Sequence, residues 1–231
     1  MLATSPNRPD IFANESTSAQ MTTKKVAVID YGLGNVGSIR NMLRRIGVLS
    51  EIVADPAQLA SMDRAILPGI GNFGHGMRLL HEGGWVKPIR RFATQARRPL
   101  LGICLGMQLL ANGSEEGEGK GLELVDGSVR FFDTARMQKP LPVPHMGWTD
   151  VPPPASSRLM ASLPADARFY FVHSLHLETS GADGATAIYA TYGYPFACAV
   201  EKANIFGVQF HPEKSHAFGM ALLRNFCEVS C

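Results

Sequence analysis

A single thiol, Cys104, ends the apolar run Leu100-Leu101-Gly102-Ile103 and is followed at once by Leu105-Gly106-Met107-Gln108. A thiol flanked by glycines, between a strand-like run and helix-forming residues, describes a sharp turn that pushes a nucleophile out of the backbone. The first N–H groups of the following helix would favour the thiolate. A second segment, Val208-Gln209-Phe210-His211-Pro212-Glu213-Lys214-Ser215, carries an imidazole and a carboxylate two residues apart. Thiol, base and orienting acid together are the parts of a Cys-His-Glu hydrolase. Pro212 favours an extended His211, and in an extended segment residues i and i+2 share a face, so Glu213 is expected to reach one ring nitrogen. A third segment, Leu67-Pro68-Gly69-Ile70-Gly71-Asn72-Phe73-Gly74, is rich in glycine. Its Ile70 N–H and that of Leu105 could aim at a developing oxyanion, although an ordinary βα connection reads the same way. Neither this loop nor Gly32-Leu33-Gly34-Asn35-Val36-Gly37 completes a dinucleotide fingerprint, since the third glycine and the later acidic residue do not fall as required.

The elements that must position these groups alternate. Val26 to Asp30 reads as a buried strand, followed by a helix from Ser38 to Ile46 with Ile39, Met42, Leu43 and Ile46 on one face. Further strands are expected at about Leu49 to Val53, Arg64 to Leu67 and Leu100 to Ile103, and Leu105 to Leu110 opens the next helix. Strands alternating with helices imply an α/β fold with a doubly wound, mostly parallel central sheet whose site lies at the strand C-termini. After Gly121 prolines cluster, and short β-like runs follow at Ser128 to Phe132, Phe169 to Val172, Ala187 to Thr191, Phe196 to Val200 and Ile205 to Val208. These are expected to form a mixed or antiparallel extension of the same sheet. A last helix is expected from about His216 to Val229.

At 231 residues the chain fits one domain, here 24–231, preceded by a Ser/Thr/Asn/Pro-rich segment 1–23 expected to be disordered, with Met21 as an alternative start. A net charge of +2 argues against a nucleic-acid partner, and no apolar run is long enough to span a membrane. The four cysteines show no metal-ligand spacing, so a reduced, cytoplasmic setting is the simplest reading. Cys198 and Cys227 read as buried apolar residues, and Cys231 has no evident role. His145, His173 and His176 do not fall at zinc-site spacings, so neither metal nor cofactor is expected.

The segments around Cys104 and Phe210-His211-Pro212-Glu213 resemble the class I (triad) glutamine amidotransferases. Within them, Asp30-Tyr31-Gly32, Leu67 to Gly71, Val143-Pro144-His145-Met146-Gly147-Trp148, Phe171-Val172-His173-Ser174 and Gly207 to Ser215 are similar to the glutaminase subunit of imidazole glycerol phosphate synthase. The resemblance implies Cys104 as nucleophile, His211 as general base and acid, Glu213 as its partner, and a γ-glutamyl thioester intermediate. It implies glutamine contacts from Gln108, the loop Gly69 to Gly71, Ser174 and Leu175. It further implies a heterodimer with a (β/α)₈-barrel cyclase that takes the ammonia into imidazole glycerol phosphate, in histidine biosynthesis, with Asn35, Trp148 and Lys214 at or near the interface. The chain departs from the family in Leu175-His176, where tyrosines are usual, and in Gly37, where a basic residue is common. A related subunit serving surface-sugar (lipopolysaccharide) biosynthesis is the alternative reading.

Overall fold

The computed structural model describes residues 24–230; the expected tail 1–23, the alternative start Met21 and the thiol Cys231 lie outside the described residues. In chain order the elements are β1 (Val26–Ile29), α1 (Val36–Arg45), β2 (Ser50–Val53), β3 (Arg64–Leu67), α2 (Phe73–Glu82), α3 (Val86–Arg90), β4 (Leu100–Ile103), α4 (Leu105–Leu109), β5 (Gly113–Ser114) and β6 (Ser128–Phe131). There follow β7 (His145–Asp150), β8 (Arg168–His173), β9 (Leu175–Glu178), β10 (Thr186–Tyr192), β11 (Tyr194–Lys202), β12 (Ile205–Val208) and α5 (His216–Glu228).

The centre of the main sheet runs β2-β1-β3-β4-β12, and all four of these pairings are parallel. Its sequences, Val-Ala-Val-Ile, Leu-Leu-Gly-Ile and Ile-Phe-Gly-Val among them, are apolar on both faces because both faces are covered. One face packs Val28, Ile66, Leu101 and Phe206 against Ile39 and Leu43 of α1 and Leu222, Leu223 and Phe226 of α5. The other packs Ala27, Ala65 and Leu100 against Phe73, Met77 and Leu80 of α2, with Trp85 and Ile89 beyond them. Arg64 is the buried polar exception. Its guanidinium donates to the carbonyls of Phe226 and Val229, so it satisfies and charges the C-terminal end of α5. Beyond β12 the sheet continues antiparallel through β11, β9 and β6, with β10 paired to β11.

One expectation is corrected, and one stretch without an expected element gains two helices. The run at Phe169 to Val172 does not extend the main sheet: β8 pairs with β7 in a separate antiparallel hairpin-like layer, His145 opposite His173 through Asp150 opposite Arg168. A strand can satisfy its ladder with either neighbour, and local alternation does not say which. The stretch between Pro68 and Leu100, unassigned from sequence, holds α2 and α3; glycines at 74 and 76 dilute the helical signal, although Phe73, Met77 and Leu80 keep its spacing.

The separate layer encloses a histidine network. The Leu175 carbonyl, an acceptor only, takes the His173 Nδ1–H at 2.7 Å. The neutral ring therefore presents Nε2 as acceptor to His145 Nδ1–H at 3.1 Å, and His145 Nε2 accepts from the Thr149 hydroxyl at 2.8 Å. His176 meets the Tyr194 hydroxyl at 3.0 Å. Burial holds His145 down to about 4 and His173 to about 3, and also lowers His176. An unfolded histidine takes up its proton near 6.5. Stability is therefore full above about 6.5 and is lost as pH falls toward about 4, because the unfolded chain binds protons that the folded chain refuses. The melting temperature is expected to fall steadily from pH 7 to pH 5, with a smaller slope in His145→Gln. Equal melting temperatures at the two pH values would contradict this account.

Candidate active site

The parallel register of β4 and β12 pairs Ile103 with Val208, which sets Cys104 beside Gln209 where both strands end. The Cys104 N–H bonds the Val208 carbonyl at 2.8 Å, and the chain then turns at φ 54, ψ −112 into α4. That left-handed turn projects the sulfur away from the sheet. Leu105 begins α4, so its N–H lacks an intrahelical acceptor and is free to bind an anion. The turn is compressed: a Cβ on Gly106 would lie 1.9 Å from the Leu67 carbonyl oxygen, and one on Gly102 would lie 2.5 Å from the Gly106 oxygen. Backbone contact between β3 and α4 thereby delivers the Gly69 to Gly71 loop to the thiol.

His211 follows β12, and its N–H bonds the Tyr170 carbonyl of β8 at 2.9 Å. The Ser215 hydroxyl donates to the His211 carbonyl at 2.6 Å and accepts from the Tyr170 N–H at 3.0 Å. The His211 Nδ1–H donates to Glu213 Oε1 at 2.8 Å, with both side chains buried. The route differs from the expected one. Pro212 to Lys214 forms a single 3₁₀ turn, so Glu213 folds back onto the ring and does not continue an extended segment. A Cβ on Gly219 of α5 would fall 1.9 Å from the Pro212 oxygen, so α5 backs this turn directly.

With Nδ1 committed to the carboxylate, Nε2 is the ring nitrogen left to face Cys104, and it is buried with no hydrogen-bond partner among the described residues. Burial alone would depress the imidazole. The facing Cys104 side chain and the Glu213 carboxylate outweigh it, and the ring rises to about 9. At neutral pH it holds its proton beside the Cys104 side chain, placed to serve a sulfur nucleophile. Burial pushes the Cys227 thiol up to about 12 and also raises that of Cys198, so both stay protonated.

A cavity of about 430 Å³ opens on this pair, lined by Ile70, Gly71, Leu105, Gln108, Ser174 and Leu175 among others. Ile70 is 48% exposed at its mouth. Gly69 is the exception among the residues named for the pocket. It is buried behind the loop, where a Cβ would strike Leu105, Gly106 and the Tyr31 hydroxyl, so its lack of a side chain serves packing. The resemblance implies a glutamine contact at Gly69, which does not itself line the cavity. Glu116, Pro144 and His173 line the cavity without having been singled out for it. Gln209 and Tyr31 were also missed. Gln209 is fully buried beside the sulfur, and the Tyr31 hydroxyl is buried behind the glycine loop with no hydrogen-bond partner among the described residues.

The three interface expectations fall on exposed positions. In β7 the side chains alternate, so Met146 and Trp148 face outward while His145 and Thr149 turn in. Trp148 is 40% exposed, stacks on His216 at 5.6 Å and meets Tyr170 edge-on. Lys214 extends over the same Tyr170 ring at 5.7 Å. Asn35 caps α1, its side chain accepting the Ser38 N–H at 3.4 Å. No helix among the described residues is long and apolar enough to cross a membrane.

Residues 27–229 match the family described as glutamine amidotransferase class-I. The chain is 45% identical over 204 residues to the imidazole glycerol phosphate synthase subunit HisH of Bdellovibrio bacteriovorus, covering 88% of this chain and 100% of that one. It is 45% identical over 202 residues to subunit HisH 2 of Methanococcus maripaludis, covering 87% and 98%. Among solved structures, a glutamine amidotransferase superposes with a TM-score of 0.69 at 20% identity over 88% of this chain and 97% of that one. PurLQS from Thermotoga maritima superposes at 0.67 and 16% over 89% and 98%. At these identities the structures speak for the fold, a mostly parallel sheet with antiparallel strands and helices on both sides.

Proposed function

The chain belongs to the class-I glutamine amidotransferases and, within them, to the glutaminase subunits of imidazole glycerol phosphate synthase, and from that membership we infer that its cavity hydrolyses L-glutamine and passes the ammonia to a cyclase partner. The observation that carries the chemistry is that Cys104 and His211 line one cavity sized for an amino acid, with the buried Glu213 carboxylate hydrogen-bonded to His211 behind it. The Cys104 thiolate attacks the side-chain amide carbon of glutamine. The carbonyl oxygen takes the negative charge and is held by the N–H groups of Leu105 and Ile70. His211 gives its proton to the departing nitrogen, ammonia leaves, and a γ-glutamyl thioester remains. The now neutral His211 takes a proton from water, which attacks the thioester; glutamate departs and the thiolate and imidazolium return. Glu213 holds the ring in the tautomer that keeps Nε2 toward sulfur and steadies its charge. Gln108, Gly71, Ser174 and Leu175 position the amino-acid end of the substrate.

The relatives' names favour the histidine-pathway synthase over the surface-sugar alternative. Trp148 and Lys214, with the outward Met146, form a half-apolar patch beside the cavity that suits a docked cyclase. Asn35, on the cap of α1, is the remaining proposed contact. Glutamate release by the chain alone is expected to be weak, and to rise about tenfold or more when the cyclase and its ribulosyl nucleotide substrate are added. Release that is already full in the lone chain would remove the case for coupling. No stimulation, with Cys104 chemically reactive, would move the sugar-pathway reading to first place.

A further inference from the structure

Gln209 immediately precedes Phe210-His211 and is fully buried, 0% exposed, at the sheet edge beside Cys104. A buried amide that served packing alone could be replaced by an apolar residue at lower desolvation cost, so its partners decide its role. Its side chain has two hydrogen-bond partners among the described residues. Gln108 Nε2 lies 3.1 Å from Gln209 Oε1, and Gln209 Nε2 lies 3.8 Å from the Cys104 sulfur.

Which end of the amide faces the sulfur follows from the surroundings. The Leu175 carbonyl can only accept, and it lies 3.2 Å from the Gln108 amide, so Gln108 must present its NH₂ there. The same NH₂ then donates its other hydrogen to Gln209, which must answer with its oxygen. The Gln209 NH₂ is left facing Cys104, where a donor stabilises the thiolate and finds less to bond in the thiol. The polarity is thus set two residues away, by a backbone oxygen that His173 Nδ1–H also holds in place at 2.7 Å.

We propose that Gln209 is a further catalytic residue of this site: its side-chain amide, oriented through Gln108 by the Leu175 carbonyl, donates a hydrogen bond to the Cys104 sulfur and holds it as the attacking thiolate. The inference rests on the reading of Cys104 as nucleophile. It divides the activation of the thiol between two groups, His211 from one side and Gln209 from the other. It also gives Gln108 a second duty besides meeting substrate.

The test is the pH dependence of Cys104 alkylation by iodoacetamide in the full chain, with the folded state checked by thermal melting. Gln209→Leu removes the donor at similar volume. Its alkylation midpoint is expected to rise by about one pH unit, with roughly tenfold slower alkylation at pH 7, and its rate is expected to rejoin that of the wild type at alkaline pH. A role confined to packing would lower the rate by the same factor at every pH. An unchanged midpoint, or a loss that does not vary with pH, would overturn the proposal. Gln209→Glu keeps the shape and removes the amide; should the leucine variant not fold, its midpoint must rise as well, and an unchanged midpoint there overturns the proposal equally. The experiment needs no glutamine turnover. A wild-type complex that releases no glutamate, while the Gln209 variants still shift alkylation, would sink the glutaminase reading and leave the thiolate donor standing.

Discussion

Cys104→Ala is expected to reduce glutamate release from glutamine by about a thousandfold or more, while ammonia-dependent ring closure by the cyclase partner continues at its wild-type rate. The sulfur forms the only covalent bond to substrate in the proposed cycle, and neither His211 nor Gln209 can replace it. Each would still bind and orient, which leaves the small residual rate of a site without its nucleophile. The substitution also removes the principal influence that lifts His211, since the Cys104 side chain contributes most to raising the ring. The imidazole pKa is therefore expected to drop well below about 9, toward the value that burial favours, and a ring-proton NMR titration would follow it. Loss of the ammonia-dependent reaction along with the glutamine-dependent one would show that Cys104 supports the assembly and not the chemistry.

Gly106→Ala has the second large effect. A Cβ there would lie 1.9 Å from the Leu67 oxygen and 2.9 Å from its carbonyl carbon, both backbone atoms of a central strand. Nothing flexible is available to yield, so β3 and α4 must separate. The same movement would withdraw the Gly69 to Gly71 loop from Leu105. A destabilisation of about 3 kcal/mol or more is expected, together with loss of glutaminase activity in whatever fraction still folds. Gly37→Ala is the matched control. It sits in α1 with no atom within 4 Å of its would-be Cβ, and a helical Gly to Ala change there is neutral or stabilising by up to about 1 kcal/mol. Urea midpoints of the two variants provide the comparison. Equal midpoints would mean that the strand-to-helix contact tolerates a methyl group, and the account of the compressed turn would fail.

What the sequence made legible depended on how local the signal was. The central strands are short apolar runs, two of them abutting proline at Pro68 and Pro99, and β1, β3, β4 and β12 fall where those runs stand. The thiol between two glycines and the His-Pro-Glu triplet are also local, so the parts of the site could be named before their arrangement was known. Pairing was not legible in the same way. Nothing in Arg168–His173 says that it chooses His145–Asp150 over the main sheet, because that choice depends on which distant face needs covering. His211 is extended as expected, but the turn that brings Glu213 back was not legible, for a related reason. Proline restricts the residue before it, but the turn after it is imposed by Ser215 and by the close approach of Gly219 from α5. Gln209 stands inside the motif without a signal of its own, since an amide announces no chemistry until its donor and acceptor ends are assigned. The histidines of the second layer had the opposite fault: conspicuous by type, they prove to be neutral groups in a buried hydrogen-bond chain.

The backbone at Cys104, φ 54 and ψ −112, is one that glycine enters freely and that a residue with a side chain holds at about 1–3 kcal/mol. Thermal endurance and turnover therefore ask for different amino acids at this position. A library of this chain sorted only by survival on heating would drift toward glycine at 104 and fill with well-folded proteins that have no nucleophile. Any effort to make the chain more robust has to hold that one position constant and look for its gains elsewhere.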